Sequence, residues 1–189
     1  RCDEGTAWPG LVMVGSHVPL ADQQLTGLLE QPACHGIELP VRRIARVLDG
    51  PTPELLLSDL EREWQQQIAS VFAQNGTPVL YSSRGELTFA RAQDARRFSR
   101  ELARLMARLA SAVAPQLGYL ISKGGITTQT LLADGLGLDA VQLEGQLLPG
   151  LSLVRPSQGP HAGLPILTFP GNLGDAGTLL EAWQWMESG

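Results

Sequence analysis

Short apolar runs alternate with longer amphipathic segments along most of this chain, and no other feature limits its fold as strongly. GLVMVGSHV (10–18) is an apolar run that passes into Gly-Ser; Pro19 then opens a segment with Leu25, Leu28 and Leu29 at helical spacing that stops before Pro32. GIELPV (36–41) reads as a second strand, followed by RRIARVLDGPTPE as a connection. Thr52 and Pro53 predict a helix start, because threonine can cap free amides and proline suits the first turn. Leu56, Leu60, Trp64, Ile68 and Phe72 then recur every four residues, and Asn75-Gly76 closes that helix. TPVLYSS (77–83) is a third strand. Residues 91–114 carry Phe98, Leu102, Leu105, Leu109 and Val113 on one helical face until Pro115 ends it. LGYLIS (117–122), LDAVQLEG (138–145) and LPILTF (164–169) supply the fourth, fifth and sixth strands, and GDAGTLLEAWQWME (174–187) a closing helix on Leu179, Leu180, Trp183 and Met186.

Strands alternating with helices predict a layered α/β/α domain around a largely parallel, Rossmann-like sheet. Ligands of such sheets bind beyond the carboxyl ends of the strands. Three corners of small residues are expected there: Gly15-Ser16; Lys123-Gly124-Gly125 with Thr127 and Thr128; and Gly171-Asn172-Leu173-Gly174. A glycine-rich turn from strand to helix leaves amides unpaired and keeps side chains away, which suits a phosphate. Thr127 or Thr128 could give a hydroxyl to a phosphate oxygen or cap the helix. Thirteen of the fourteen basic residues are arginine, and Lys123 is the one lysine. A compact ammonium there suits a point contact with phosphate; the alternative is an exposed lysine at a strand end.

The turn matches neither common nucleotide loop. Its lysine precedes the glycines instead of following them, and G-x-G-x-x-G is absent from it. A net charge of −5 argues against a nucleic-acid surface. The longest apolar runs are about six residues, against the ~20 that a membrane helix needs, and no basic-then-apolar leader opens the chain, so a soluble, cytoplasmic protein is expected. Cys2 and Cys34 make no disulfide framework, and His17, His35 and His161 have no paired ligand spacing. At 189 residues one domain is expected, although length alone also allows two small ones.

Other candidates have ordinary alternatives. Arg96, Arg100, Arg104 and Arg108 form a stripe that could receive an acidic partner or be a solvated face. Asp175 could cap the last helix or meet magnesium through water. Ser16 and His17 are adjacent, but no carboxylate is placed to complete a hydrolase triad and G-x-S-x-G is absent, so His17 reads as a polar loop residue.

In order and spacing, MVGSHVPLADQQLTGLL, YSSR, ISKGGITT, GQLLPGLSL and TFPGNLGD together resemble the C-terminal nucleotide-binding domain of the four-carbon acid sugar kinase family, over nearly the whole chain. The resemblance implies binding of ATP with Mg²⁺ and phosphorylation of a small sugar acid such as threonate or erythronate. By that resemblance Ser16 matches the Gly-Ser corner near the nucleotide. Gly124, Gly125, Ile126 and Thr127 match a Gly-Gly-acidic-Thr segment along the phosphates, and Gly171 matches the first glycine of Lys-Ser-Gly-Asn-Phe-Gly. Two departures stand out: Ile126 replaces an acidic residue, and Phe169-Pro170 replaces Lys-Ser. Lys123 could restore the lost positive charge from the other side. The family carries its sugar-acid site on a preceding domain, so a chain opening at Arg1 is expected to be the C-terminal fragment of a two-domain protein and inactive in phosphoryl transfer alone. A homodimer is compatible with this reading. Two rivals remain: a non-catalytic domain sensing a phosphorylated metabolite, and an interaction module docking through the arginine stripe.

Overall fold

A computed structural model describes residues 8–84 and 87–188. At its centre lies β1 (Gly10–Val14), whose five residues are all buried, as a strand covered on both faces by helices requires. Its side chains alternate between two cores. Leu11 and Met13 face one, Val12 and Val14 the other.

In chain order the elements are α1 (Pro19–Leu29), β2 (Cys34–Leu39), α2 (Val41–Leu48), α3 (Pro53–Ala73), β3 (Thr77–Ser82), α4 (Ala92–Val113), β4 (Tyr119–Lys123), α5 (Gly125–Thr130), β5 (Gln142–Leu148), β6 (Leu151–Arg155), β7 (Ile166–Phe169) and α6 (Thr178–Ser188). The sheet runs β2-β3-β1-β4-β7-β6-β5. Its first five strands are mutually parallel, whereas β6 is antiparallel to β7 and β5 to β6. One core packs Leu39, Ile44, Trp64, Ile68, Leu105 and Leu109 from β2, α2, α3 and α4. The other packs Leu25 and Leu28 of α1 with Leu179 and Trp183 of α6. The expected layered α/β/α domain is therefore present. Each fully buried leucine contributes roughly 1.5–3 kcal/mol over leaving it exposed.

Several boundaries differ from the sequence expectation. The second strand runs Cys34–Leu39 instead of 36–41, and Val41 joins RRIARVL, read as a connection, to form α2, with only Val41 and Ile44 buried and Ser83 Oγ accepting the Val41 amide at 3.0 Å. Thr52 precedes α3 but makes no side-chain cap bond, and Leu56 is exposed; the buried face is Leu60, Trp64, Ile68 and Val71. That helix ends in a Schellman turn: Gly76 donates to Val71 O and Asn75 to Phe72 O, with Asn75 rather than Gly76 in the left-handed region (φ 55°). The fifth strand begins at Gln142, not 138, and pairs with a further strand, LSLVR, across Pro149-Gly150. Proline followed by a positive-φ glycine (84°) turns the chain back on itself, which makes this end of the sheet antiparallel.

Cys34 is buried in β2, its thiol pushed up to about 12 by burial and then by Glu187, which leaves it unreactive. Cys2 lies outside the described residues. Among the described residues no helix is long and apolar enough to cross a membrane.

Candidate functional site

β1, β4 and β7 are adjacent and parallel, with Val14, Lys123 and Phe169 level with one another. The next residue of each strand therefore emerges at the same height. Backbone bonds carry the ladder one step further: Gly15 donates to Lys123 O at 3.0 Å and Gly124 to Phe169 O at 2.8 Å. The three glycine corners thus meet.

Their glycines are needed for different reasons. A Cβ on Gly15 would overlap Thr127 Oγ1, so this glycine is the hollow into which Thr127 fits. Gly124 sits at φ +119°, and a Cβ there would stand 3.2 Å from Ser16 N. A Cβ on Gly171 would lie 2.5 Å from Ser16 Oγ. Gly125 is the exception, because a Cβ there meets nothing within 4 Å; it opens α5 on the exposed side of the junction. Gly174 (φ +80°) instead serves the start of α6, where its Cβ would strike Thr178. There Asp175 Oδ1 accepts from Gly177 N–H at 2.9 Å and from the Thr178 hydroxyl at 3.0 Å, so Asp175 is a cap. Asn172 is exposed, with no side-chain hydrogen bond among the described residues.

The two threonines divide their tasks. Thr127 is 5% exposed and lines the cavity described below, and its hydroxyl makes no hydrogen bond among the described residues. Thr128 turns inward, donating to Ser122 O at 3.0 Å and bonding Ser122 Oγ at 2.9 Å, so its hydroxyl ties α5 to the end of β4 instead of facing the crevice. Neither makes a side-chain cap bond to α5.

Lys123 departs most from expectation. It is fully buried, its Nζ donating to Pro170 O at 3.2 Å and Gly171 O at 3.1 Å and lying 3.8 Å from the centroid of the Phe169 ring. Burial lowers its pKa to about 8. The ammonium therefore points beneath the third corner and not into the crevice.

Beside the junction, on the α4 side, is a cavity of about 550 Å³. Leu87, Phe98, Leu102 and Met106 supply apolar wall, and His17 and Arg84 supply polar wall. His17 Nε2 and Ser82 Oγ are hydrogen-bonded at 2.8 Å; partial burial of the ring, then the nearby Arg84 cation, holds the histidine pKa below its ordinary value. Arg84 donates to Ser16 O and meets Asp22 at 3.2 Å, which fixes the first corner from outside. On the other side, Gln24 of α1 is buried and donates to the carbonyls of Leu173, at 3.0 Å, and Asp175. Sequence reasoning missed His17, Arg84 and Gln24 as parts of the site. For Gln24 the signal was a polar residue beside Leu25 on the buried helix face.

Ile126 is 59% exposed and separates this cavity from a groove of about 480 Å³ lined by Arg96, Arg100, Arg104, Gln129 and Thr130. Of the arginine stripe, Arg104 pairs with Glu101 and Asp134, and Arg108 with Glu61. Half of it is thus occupied in intramolecular pairs. Among the described residues no group of three or more His, Cys, Asp or Glu side chains could hold a metal. Asp175 is engaged as a cap and Asp22, the one carboxylate lining the cavity, is paired with Arg84, so the corners do not fit a protein-held magnesium.

The model of a nucleotide-binding C-terminal domain matches residues 11–179. Among solved structures, a Bordetella bronchiseptica protein containing a domain of unknown function, crystallised with bound citrate as a domain-swapped dimer, is 24% identical with a TM-score of 0.68, over 95% of this chain and 41% of that one. A Haemophilus influenzae protein of the same domain family is 14% identical with a TM-score of 0.68, over 94% and 40%. At these identities the likenesses show the fold, and the chain spans about two fifths of the length of these proteins. No curated protein matches the chain.

Proposed function

The chain belongs to the nucleotide-binding C-terminal domain family, and on that premise we propose that it holds ATP with the phosphates over the junction of the three corners and the base in the adjoining apolar cavity. The observation that carries this reading is the convergence of the three corners: Thr127 Oγ1 lies over Gly15 and Gly124, Gly171 lies against Ser16, and Thr127, which lines the cavity, has a hydroxyl without a partner among the described residues. Gly125 leaves open the approach to the first amides of α5, which have no partner within the helix. Apolar walls with a few directed polar groups suit a planar base. Mg²⁺ would come with the nucleotide rather than from a protein site, and would neutralise phosphate charge.

Within a longer protein this domain supports a kinase for a small, four-carbon sugar acid, with the acid presented by a preceding domain. The chain's part is to bind and orient the phosphates; transfer also needs the acceptor hydroxyl in line with them. Calorimetric titration of the chain with ATP, with and without Mg²⁺ and with sugar phosphates as controls, tests the binding step. Saturable binding selective for ATP supports it, and silence toward ATP refutes it.

A second reading has one observation in its favour. Ile126 stands where an acidic residue is expected, and the one carboxylate that lines the cavity, Asp22, is paired with Arg84, which suits a domain that senses a phosphorylated metabolite without catalysis. ATP-dependent phosphorylation of a sugar acid by the full-length protein excludes it.

A further inference from the structure

The one lysine of the chain is sealed inside it. Two of the three N–H donors of Lys123 are spent on consecutive carbonyls of one loop, and its cation rests on the face of Phe169. A buried ammonium ordinarily brings a carboxylate with it. None pairs with Lys123 among the described residues. β1 (GLVMV), β7 (ILTF) and α5 (GITTQT) supply no titratable side chain; its own strand carries Tyr119, and α1 and α6, on the same face of the sheet, carry Asp22, Glu181 and Glu187. Most such groups nearby are engaged elsewhere: Asp22 meets Arg84, Glu187 accepts from Tyr119 and Thr77, His17 bonds Ser82 and Asp175 caps α6. A chain with thirteen arginines has thus placed its one lysine where backbone carbonyls and an aromatic face receive the ammonium.

The loop it holds is the one whose position matters. Gly171 faces Ser16, and Ser16 N faces Gly124, so the Pro170–Gly171 backbone sets the width of the junction. Gln24 secures the far end of the same loop through Leu173 and Asp175. We infer that Lys123 is a positioning residue that clamps the Pro170–Gly171 backbone against the Ser16 corner and thereby shapes the anion site without touching the anion. The clamp stands on the contacts alone; that the anion is a nucleotide phosphate rests on the proposed function.

Lys123→Met tests it, because methionine keeps most of the apolar stem while removing the donors and the charge, and the fold should tolerate the exchange. Amide hydrogen exchange in residues 171–174 is expected to speed up by about tenfold or more, the loss of one or two hydrogen bonds, while amides of β1 and β4 keep their rates. Affinity for Mg·ATP should fall by about tenfold. In the wild type, affinity should decline further as pH rises through about 8, where the buried ammonium loses its proton, and in Lys123→Met this step should vanish. Isotope-labelled lysine gives a single side-chain signal, which should report that proton directly. Unchanged exchange in 171–174 overturns the clamp. Faster loop exchange with no ATP binding by the wild type upholds the clamp and refutes the nucleotide reading instead.

Discussion

The two ends of the sheet handle the same problem differently. Parallel β1, β4 and β7 release the chain on one side, so three sequence-distant glycine corners, at 15, 124 and 171, arrive together. The β5–β6 hairpin sends successive strand ends in opposite directions and gathers nothing. Its pairing is irregular between Leu143 and Gly145, and Leu143 is 64% exposed, whereas every side chain of β1 is buried. Strand direction therefore decides where a site can form. The hairpin extends the sheet and covers β7; the parallel half builds the crevice.

This contrast ranks the effects of substitution. Gly15→Val should be the most damaging, because the new side chain occupies the space of Thr127 at the tightest contact of the junction. We expect a loss of about 3 kcal/mol in urea unfolding, at the upper end of ordinary overpacking, together with loss of nucleotide binding. Thr127→Val keeps the shape and removes the hydroxyl; affinity should drop several-fold in calorimetry, the value of about one hydrogen bond, with the melting temperature nearly unchanged. Leu143→Lys, on the outer strand, should move stability by no more than about 0.5 kcal/mol and leave binding intact. A large effect of Leu143→Lys would break the contrast by giving the hairpin a role in the site.

Much of the parallel half was legible in the sequence because its strands are largely apolar runs: GLVMV and YLIS at the centre, ILTF beside them. The corners were legible as glycines at strand ends. α2 escaped because only Val41 and Ile44 are buried and the rest of the segment is polar, leaving too short an apolar stripe to read. The hairpin escaped because Pro149-Gly150 was passed over as a turn signal, although proline and a positive-φ glycine explain the reversal. Lys123 was misjudged for another reason. Sequence places it beside the glycines, but its inward course depends on Phe169 being level with it on the neighbouring strand, a fact of register. Thr128 is similar: adjacent threonines on a helix point about a quarter-turn apart, and only the packing against Ser122 tells which one faces inward.

Gly125 offers the most direct test of the central claim, because it is the one glycine of the junction whose Cβ would meet open space. Gly125→Val should fold as the wild type does, with the side chain standing where the phosphates are proposed to lie. Calorimetric titration of both proteins with Mg·ATP should give saturable binding to the wild type and none, or at least about a hundredfold weaker binding, to the variant, a difference of about 2.7 kcal/mol. Equal ATP affinity in the two proteins, with both fully folded, would contradict the placement of the nucleotide at this junction.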